Sequence, residues 1–296
     1  MKDKLIIISI VLCAVMPIWS QGLKFDPRNN NVSSLMSRSV VKIVAEKDVG
    51  RLTYTGVIFG NTDFGTMRTM VTVLTTKSLL EGAKEIKIEI PMRMSGKDRM
   101  LQKIVIAYGA ENIFYECHPD RTVDLCAIII SKEIGELDKQ GKTLDYYLES
   151  SILADEEFFK KEKPLDPIVM VGHPYGLMDE VNPQPIFRRG VYATDPSLDY
   201  NGRREFLIDV TNSGNLGGFP VFRFDDKMYN DRSGFGITIT LASRLALLGI
   251  SCVEYANAIP VNGVNDHVVR VLKASRIKEL QEYLKKRYCY ETQKKK

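Results

Sequence analysis

Nucleophilic acyl transfer needs an activated oxygen or sulfur, a base to take its proton, a carboxylate to orient that base, and N–H groups aimed at the oxyanion. Residues 211–220 hold material for the first and last of these, reading Thr-Asn-Ser-Gly-Asn-Leu-Gly-Gly-Phe-Pro. Ser213 offers a hydroxyl, and Gly214, Asn215, Gly217 and Gly218 form a turn able to present backbone N–H groups. A carboxylate stands at Asp124, opening the apolar run Asp-Leu-Cys-Ala-Ile-Ile-Ile. Bases are scarce, because histidine occurs only at His118, His173 and His267. His173 lies in a turn motif and reads as structural; His118 beside a hairpin tip and His267 near a closing helix read as solvated. Lys77 next to Ser78 suggests a serine–lysine dyad, but neighbours on a strand point to opposite faces, so neither activates the other. No Cys-x-x-Cys or histidine-rich spacing is present, so neither a metal nor any other cofactor is expected.

These residues require a frame, and the frame reads as β. Runs rich in β-branched and aromatic residues alternate at 51–59, 71–75, 86–90 and 206–210, with glycine, proline, aspartate and asparagine between them. A composition of 44% apolar and 26% charged residues describes an ordinary globular chain. Discounting both ends of the 296 residues leaves about 250 for packed structure, enough for two small cores. No repeat or low-complexity tract is present beyond the terminal lysines.

In order along the chain, several segments resemble the trypsin-like serine peptidases, in particular their Deg/HtrA branch. Residues 39–43 and 54–58 resemble the first two strands, and 169–176 (Val-Met-Val-Gly-His-Pro-Tyr-Gly) the opening of the second barrel. Residues 189–193 and 248–250 resemble later strands, and 258–262 (Ala-Ile-Pro-Val-Asn) the entry to a closing helix. The resemblance implies an all-β fold of two six-stranded antiparallel barrels followed by a C-terminal amphipathic helix. It also assigns three catalytic stations. Leu216 stands where the family's nucleophilic serine belongs, with Phe219 inserted before Pro220. Within 71–83 Ser78 stands where the histidine belongs, and Asp124 keeps the orienting aspartate. An aspartate without its imidazole has nothing to orient. Leu216 is expected to project toward the scissile-bond position and partly plug the cleft. Gly214, Asn215, Gly217 and Gly218 would be a remnant of the oxyanion turn, lining a peptide groove together with residues 248–254. Ser213 is the fallback nucleophile in a shifted register. About twenty-five residues follow the matched region, too few for the PDZ domain that the family often appends.

The predicted organisation is a signal peptide at 1–20, a lead at 21–38, a first barrel at 39–131, a charged insertion at 132–164, a second barrel at 165–263, and a helix with a basic tail at 264–296. Lys2 and Lys4 precede a 12-residue apolar stretch and Ser20 offers a small residue before a cut, so export to the periplasm or beyond is expected, with no later membrane span. After Cys13 leaves with the signal, Cys117, Cys126, Cys252 and Cys289 allow three pairings; a hairpin turn at 118–121 favours Cys117 with Cys126, leaving Cys252 with Cys289. The insertion reads as two helices, at 134–148 and 154–161. Val264, Val268, Val271 and Leu272 form one helical stripe and Ile277, Leu280, Leu284 and Tyr288 a second. Residues 270–296 carry ten basic and three acidic side chains, a tail able to engage an anionic surface. Nucleic acid is not expected as a partner. The function expected is that of an inactive peptidase fold serving as a protein-binding or structural component of an extracytoplasmic assembly. The alternatives are an active endopeptidase using Ser213 and a periplasmic chaperone-like binder of peptides.

Overall fold

The computed structural model describes residues 32–63, 68–94, 101–179, 181–210, 216–225, 229–231, 238–240, 244–252 and 268–288. The signal stretch, residues 258–262, Val264, His267, Cys289 and the lysine tail lie outside them, as do Ser213, Gly214 and Asn215.

A short helix, α1 (Val32–Arg38), leads into β1 (Val40–Lys47), β2 (Gly50–Asp63) and β3 (Arg68–Thr75). The single-turn helix α2 (Lys77–Leu80) separates these from β4 (Glu85–Met94), β5 (Leu101–Gly109), β6 (Tyr115–Cys117) and β7 (Cys126–Ile129). With β8 (Lys142–Leu144) they form an eight-stranded antiparallel sheet ordered β5-β4-β1-β2-β3-β7-β6, β8 pairing with β4. The alternating isoleucines of β4, Ile86, Ile88 and Ile90, face inward with Val41, Ile43, Ile58 and Val73 to make the first core. Among the described residues this lobe stays open between β5 and β6. β6 is only three residues long, and the connection before it bonds elsewhere: the Ala110 N–H to the Lys84 carbonyl, the Phe114 carbonyl to Ile129.

The second lobe is a closed barrel. Its strands are β9 (Pro167–Gly172), β10 (Ile186–Tyr192), β11 (Glu205–Val210), β12 (Pro220–Asp225), β15 (Arg244–Cys252) and β16 (Val268–Lys273), with the two-stranded β13 (Tyr229–Asp231) and β14 (Thr238–Thr240) apart from it. The order β10-β11-β16-β15-β12-β9 closes when β9 pairs with β10. This corrects the first helical stripe: Val268, Val271 and Leu272 belong to β16. A short β-branched run is ambiguous between the two periods, and pairing on both edges, with β11 and with β15, decides for strand. Within the barrel wall Arg270 is buried against Glu205 at 3.0 Å.

The expected C-terminal helix is α5 (Ala274–Tyr288), and its stripe Ile277, Leu280 and Leu284 is fully buried. These residues pack in a third core with Val57, Phe59 and Leu74 of the first lobe and Phe222, Leu247 and Ile250 of the second. The helix therefore seals the seam. The insertion departs from its two-helix expectation. α3 (Ser131–Lys139) stops before Gly141, whose φ of +75° is left-handed, and residues 142–144 pair with Met92–Met94 instead. α4 (Glu156–Lys161) is capped by Asp155, which accepts the Phe158 N–H at 2.8 Å. Its end is tied to the second barrel by Glu162, 3.1 Å from Arg244. No described helix is long and apolar enough to cross a membrane.

Truncating Leu280 opens a cavity where all three elements meet. Leu280→Ala is expected to cost about 2–5 kcal/mol, read as a lowered urea midpoint with an unchanged m-value.

Candidate functional site

The carboxylate that the resemblance assigns to the orienting station is spent on a helix end. Asp124 is 8% exposed. One of its oxygens accepts the backbone N–H of Ser78 at 2.9 Å, and the other accepts the Ser78 hydroxyl at 3.2 Å. α2 begins here, and its own N-cap, Thr76, makes no side-chain cap bond. Asp124 reaches across from the other strand pair to do that work. Among the described residues the Ser78 hydroxyl is bonded to this carboxylate and to no imidazole or amine. Lys77, the rejected dyad partner, pairs with Glu81 at 3.0 Å. Lys47 donates to the Ser78 carbonyl, not to its hydroxyl.

Asp124 is held by a stapled hairpin. Cys117 and Cys126 lie opposite each other on β6 and β7 and are joined as a disulfide. His118, read from sequence as solvated, is 4% exposed. Its Nδ1 accepts the Asp120 N–H at 3.1 Å, so Nε2 carries the proton and donates to Glu279 on α5 at 3.1 Å. A neighbouring hairpin residue is invisible to periodicity once a distant helix covers it. Cys252 is buried on β15, while Cys289 lies outside the described residues.

The glycine turn is described from Leu216 onward. Leu216 is 2% exposed and packs in the second barrel's core with Ile168, Phe206, Val221 and Leu248. This corrects the expectation that it plugs the cleft: an aliphatic side chain at the barrel wall gains more by turning inward than by facing a polar groove. Gly217 and Gly218 face the first lobe. The Gly217 carbonyl accepts the Thr55 N–H at 3.3 Å, and the Gly218 N–H donates to the Ser251 carbonyl at 2.9 Å. Gly218 has φ +80°, and a Cβ there would sit 2.0 Å from the Thr55 carbonyl oxygen and 2.9 Å from the Thr75 hydroxyl. Only glycine fits this approach. The turn thus lies against the end of β3, three residues from Ser78. Phe219, the inserted residue, is fully buried and occupies the space that Gly172 leaves, since a Cβ on Gly172 would fall 2.5 Å from its ring.

Two residues that sequence reasoning missed organise this seam. Ser251 accepts the Phe219 N–H at 3.1 Å through its hydroxyl, which also donates to the Leu216 carbonyl. Thr55 bonds the glycine turn through its N–H, accepts the Thr75 hydroxyl at 3.1 Å through its carbonyl, and accepts the His173 N–H at 2.9 Å through its own hydroxyl. Neither carries a sequence signal beyond its place in a strand motif. The expected peptide groove is also partly used up. Residues 249–252 of β15 pair with β16 on one edge, while Ile250 pairs with β12 and Ser251 with the glycine turn on the other. Residues 253–254 lie outside the description.

His173 is structural, as its turn motif suggests. It is 3% exposed and its Nδ1 lies 3.3 Å from the Leu177 carbonyl. Burial pushes its imidazole down to about 4. No group of metal-ligating side chains exists among the described residues.

No family model and no curated protein matches the chain. Among solved structures it is similar to the HtrA-type protease AlgW with tripeptide, at 14% identity and a TM-score of 0.47 over 85% of this chain and 61% of that one. A serine endoprotease from Yersinia pestis matches at 13% identity and 0.45 over 85% and 64%. The MamO protease domain from Magnetospirillum magneticum matches at 13% and 0.44, over 83% and 97%. The chain thus spans less than two thirds of the length of the first two. The strand order by itself shows one closed six-stranded antiparallel barrel beside an eight-stranded antiparallel sheet.

Two outcomes follow from the buried polar groups. Asp124→Ala strips the cap from α2 and leaves the partly buried Ser78 donors without that partner, at an expected cost of about 1–2 kcal/mol; chemical denaturation measures it. The unfolded chain protonates His173 near 6.5, whereas the folded chain resists until about 4. Between those values the unfolded state binds more protons, so stability falls as pH drops through the window, by up to about 3 kcal/mol, and is unaffected by this group above it. His173→Gln should flatten that slope when urea midpoints are compared at pH 7 and pH 4.5.

Proposed function

We propose that the chain is a trypsin-like domain without peptidase activity, exported from the cytoplasm, that serves as a protein-binding or structural component of an extracytoplasmic assembly. The observation carrying this reading is the engagement of Asp124 by the Ser78 N–H and hydroxyl at 2.9 and 3.2 Å. Both oxygens of that carboxylate are thus met by a serine at the position where the resemblance calls for an imidazole. The two described histidines are engaged elsewhere, His118 with Glu279 and His173 with Leu177.

Magnitude supports the same side. Loss of a single member of a nucleophile–base pair lowers turnover by about 10⁴–10⁶, and loss of both is no less severe. The burial of Leu216 in the second core adds a physical reason why that position presents nothing to a substrate. What remains is a rigid two-lobed scaffold with surface insertions, which suits binding. The Cys117–Cys126 disulfide fits an oxidising compartment.

A fluorophosphonate probe tests the reading. No serine, Ser213 included, should label above the level of the heat-denatured protein; stoichiometric labelling would establish an active peptidase. The double replacement Ser78→His with Leu216→Ser is expected to restore no cleavage of casein. It should also lower stability by about 3–5 kcal/mol, because a hydroxyl replaces a buried leucine.

A further inference from the structure

The open side of the first lobe ends in an edge strand that lacks the usual protections. β5 runs nine residues, Leu101–Gly109, and pairs with β4 in continuous register from Arg93↔Leu101 to Glu85↔Gly109. Among the described residues its other edge meets no strand and makes no backbone bond to another segment from 101–108. Soluble proteins blunt such edges with proline, bulges, charge or brevity. β5 has no proline and no register shift, and its single charge, Lys103, is drawn back to Glu89 at 3.3 Å. The opposite end of the same sheet is blunt by contrast: β6 has three residues, and α5 covers it through the Tyr288–Phe114 ring contact.

We propose that this edge is an interface between two copies of the chain, with β5 pairing antiparallel to β5 about a two-fold axis through Val105. The inference is independent of whether the chain cleaves peptides. The strand's own sequence argues for a second copy over another occupant. A two-fold register at Val105 sets Val105, 49% exposed, opposite its own equivalent on the outer face. Lys103 then faces Ala107 of the other copy, so the one charge on the strand never meets a like charge. On the inner face Ile104 and Ile106, already packed on the first core, face each other across the axis and extend that core into the neighbour. Opposed side chains in such pairs lie about 4.5–5.5 Å apart, close enough for apolar contact to stabilise and for like charges to repel. A single strand pair buries less than a standard interface, so a dissociation constant of about micromolar order is expected.

Sedimentation velocity of the exported chain over roughly 1–200 µM tests the proposal. The wild type should pass from monomer to dimer in this range. Val105→Lys places two ammonium groups at the axis and should weaken dimerisation tenfold or more. In the monomer the new lysine stands beside Glu89, its β4 partner, so the fold is kept, and an unchanged circular dichroism melt would show it. Ala107→Glu meets Lys103 of the other copy and should leave dimerisation equal or tighter. The proposal is overturned if the wild type stays monomeric throughout, if Val105→Lys dimerises as the wild type does, or if Ala107→Glu weakens the dimer as Val105→Lys does. A strand from some unrelated protein would fall under the first of these outcomes.

Discussion

The seam between the lobes depends on one residue of β2. Thr55 is fully buried and spends its N–H, carbonyl and hydroxyl on three different segments: the glycine turn, the end of β3, and the turn at His173. Two of these belong to the second lobe. Because Gly218 approaches the Thr55 carbonyl so closely that a Cβ would stand 2.0 Å away, the turn has no room for another residue. A glycine in left-handed conformation and a threonine with every polar group engaged fix how the two lobes meet. The apolar core behind them, sealed by Leu280 and Leu284 of α5, excludes water from these bonds and so makes each costly to break.

The groups around the seam are engaged within the fold. Asp124 caps α2, the Gly218 N–H bonds Ser251, and Leu216 fills a core. A catalytic site keeps donors and acceptors unsatisfied until substrate arrives, which costs stability. In this seam the Asp124 carboxylate and the Gly218 N–H each have a partner within the fold. The same logic extends to the hairpin that carries Asp124. It is stapled by Cys117–Cys126, latched to α5 through His118 and Glu279, and Glu279 is shared with Arg276 at 3.0 Å and with Arg204.

Much of the frame was legible in the sequence because strand signals are local. The runs at 51–59, 71–75, 86–90 and 206–210 all fall inside β2, β3, β4 and β11, and the hairpin turn at 118–121 does bring Cys117 to Cys126. Where local signals are ambiguous, the reading failed. Val268–Leu272 suits a helix stripe and a strand equally, and only its two neighbours in the barrel settle it. Residues 142–144 looked like helix until β4 offered an unpaired edge. His118 looked solvated because nothing near it in sequence shows that α5 will cover it.

At the site, the resemblance is what assigns stations to Ser78, Asp124 and Leu216; residue type fixes only what each side chain could do there, since chemical capacity is a property of the side chain. Where each side chain points, and what it bonds, depended on packing between segments far apart in the chain. Phe219 sits in the gap left by Gly172, Ser251 ties down the Leu216 turn, and Thr55 receives His173. Such contacts join residues tens to more than a hundred positions apart, and no local preference encodes them. Composition and spacing thus set what this chain has to work with, and the close approach of two lobes decided which of those groups face each other and which face inward.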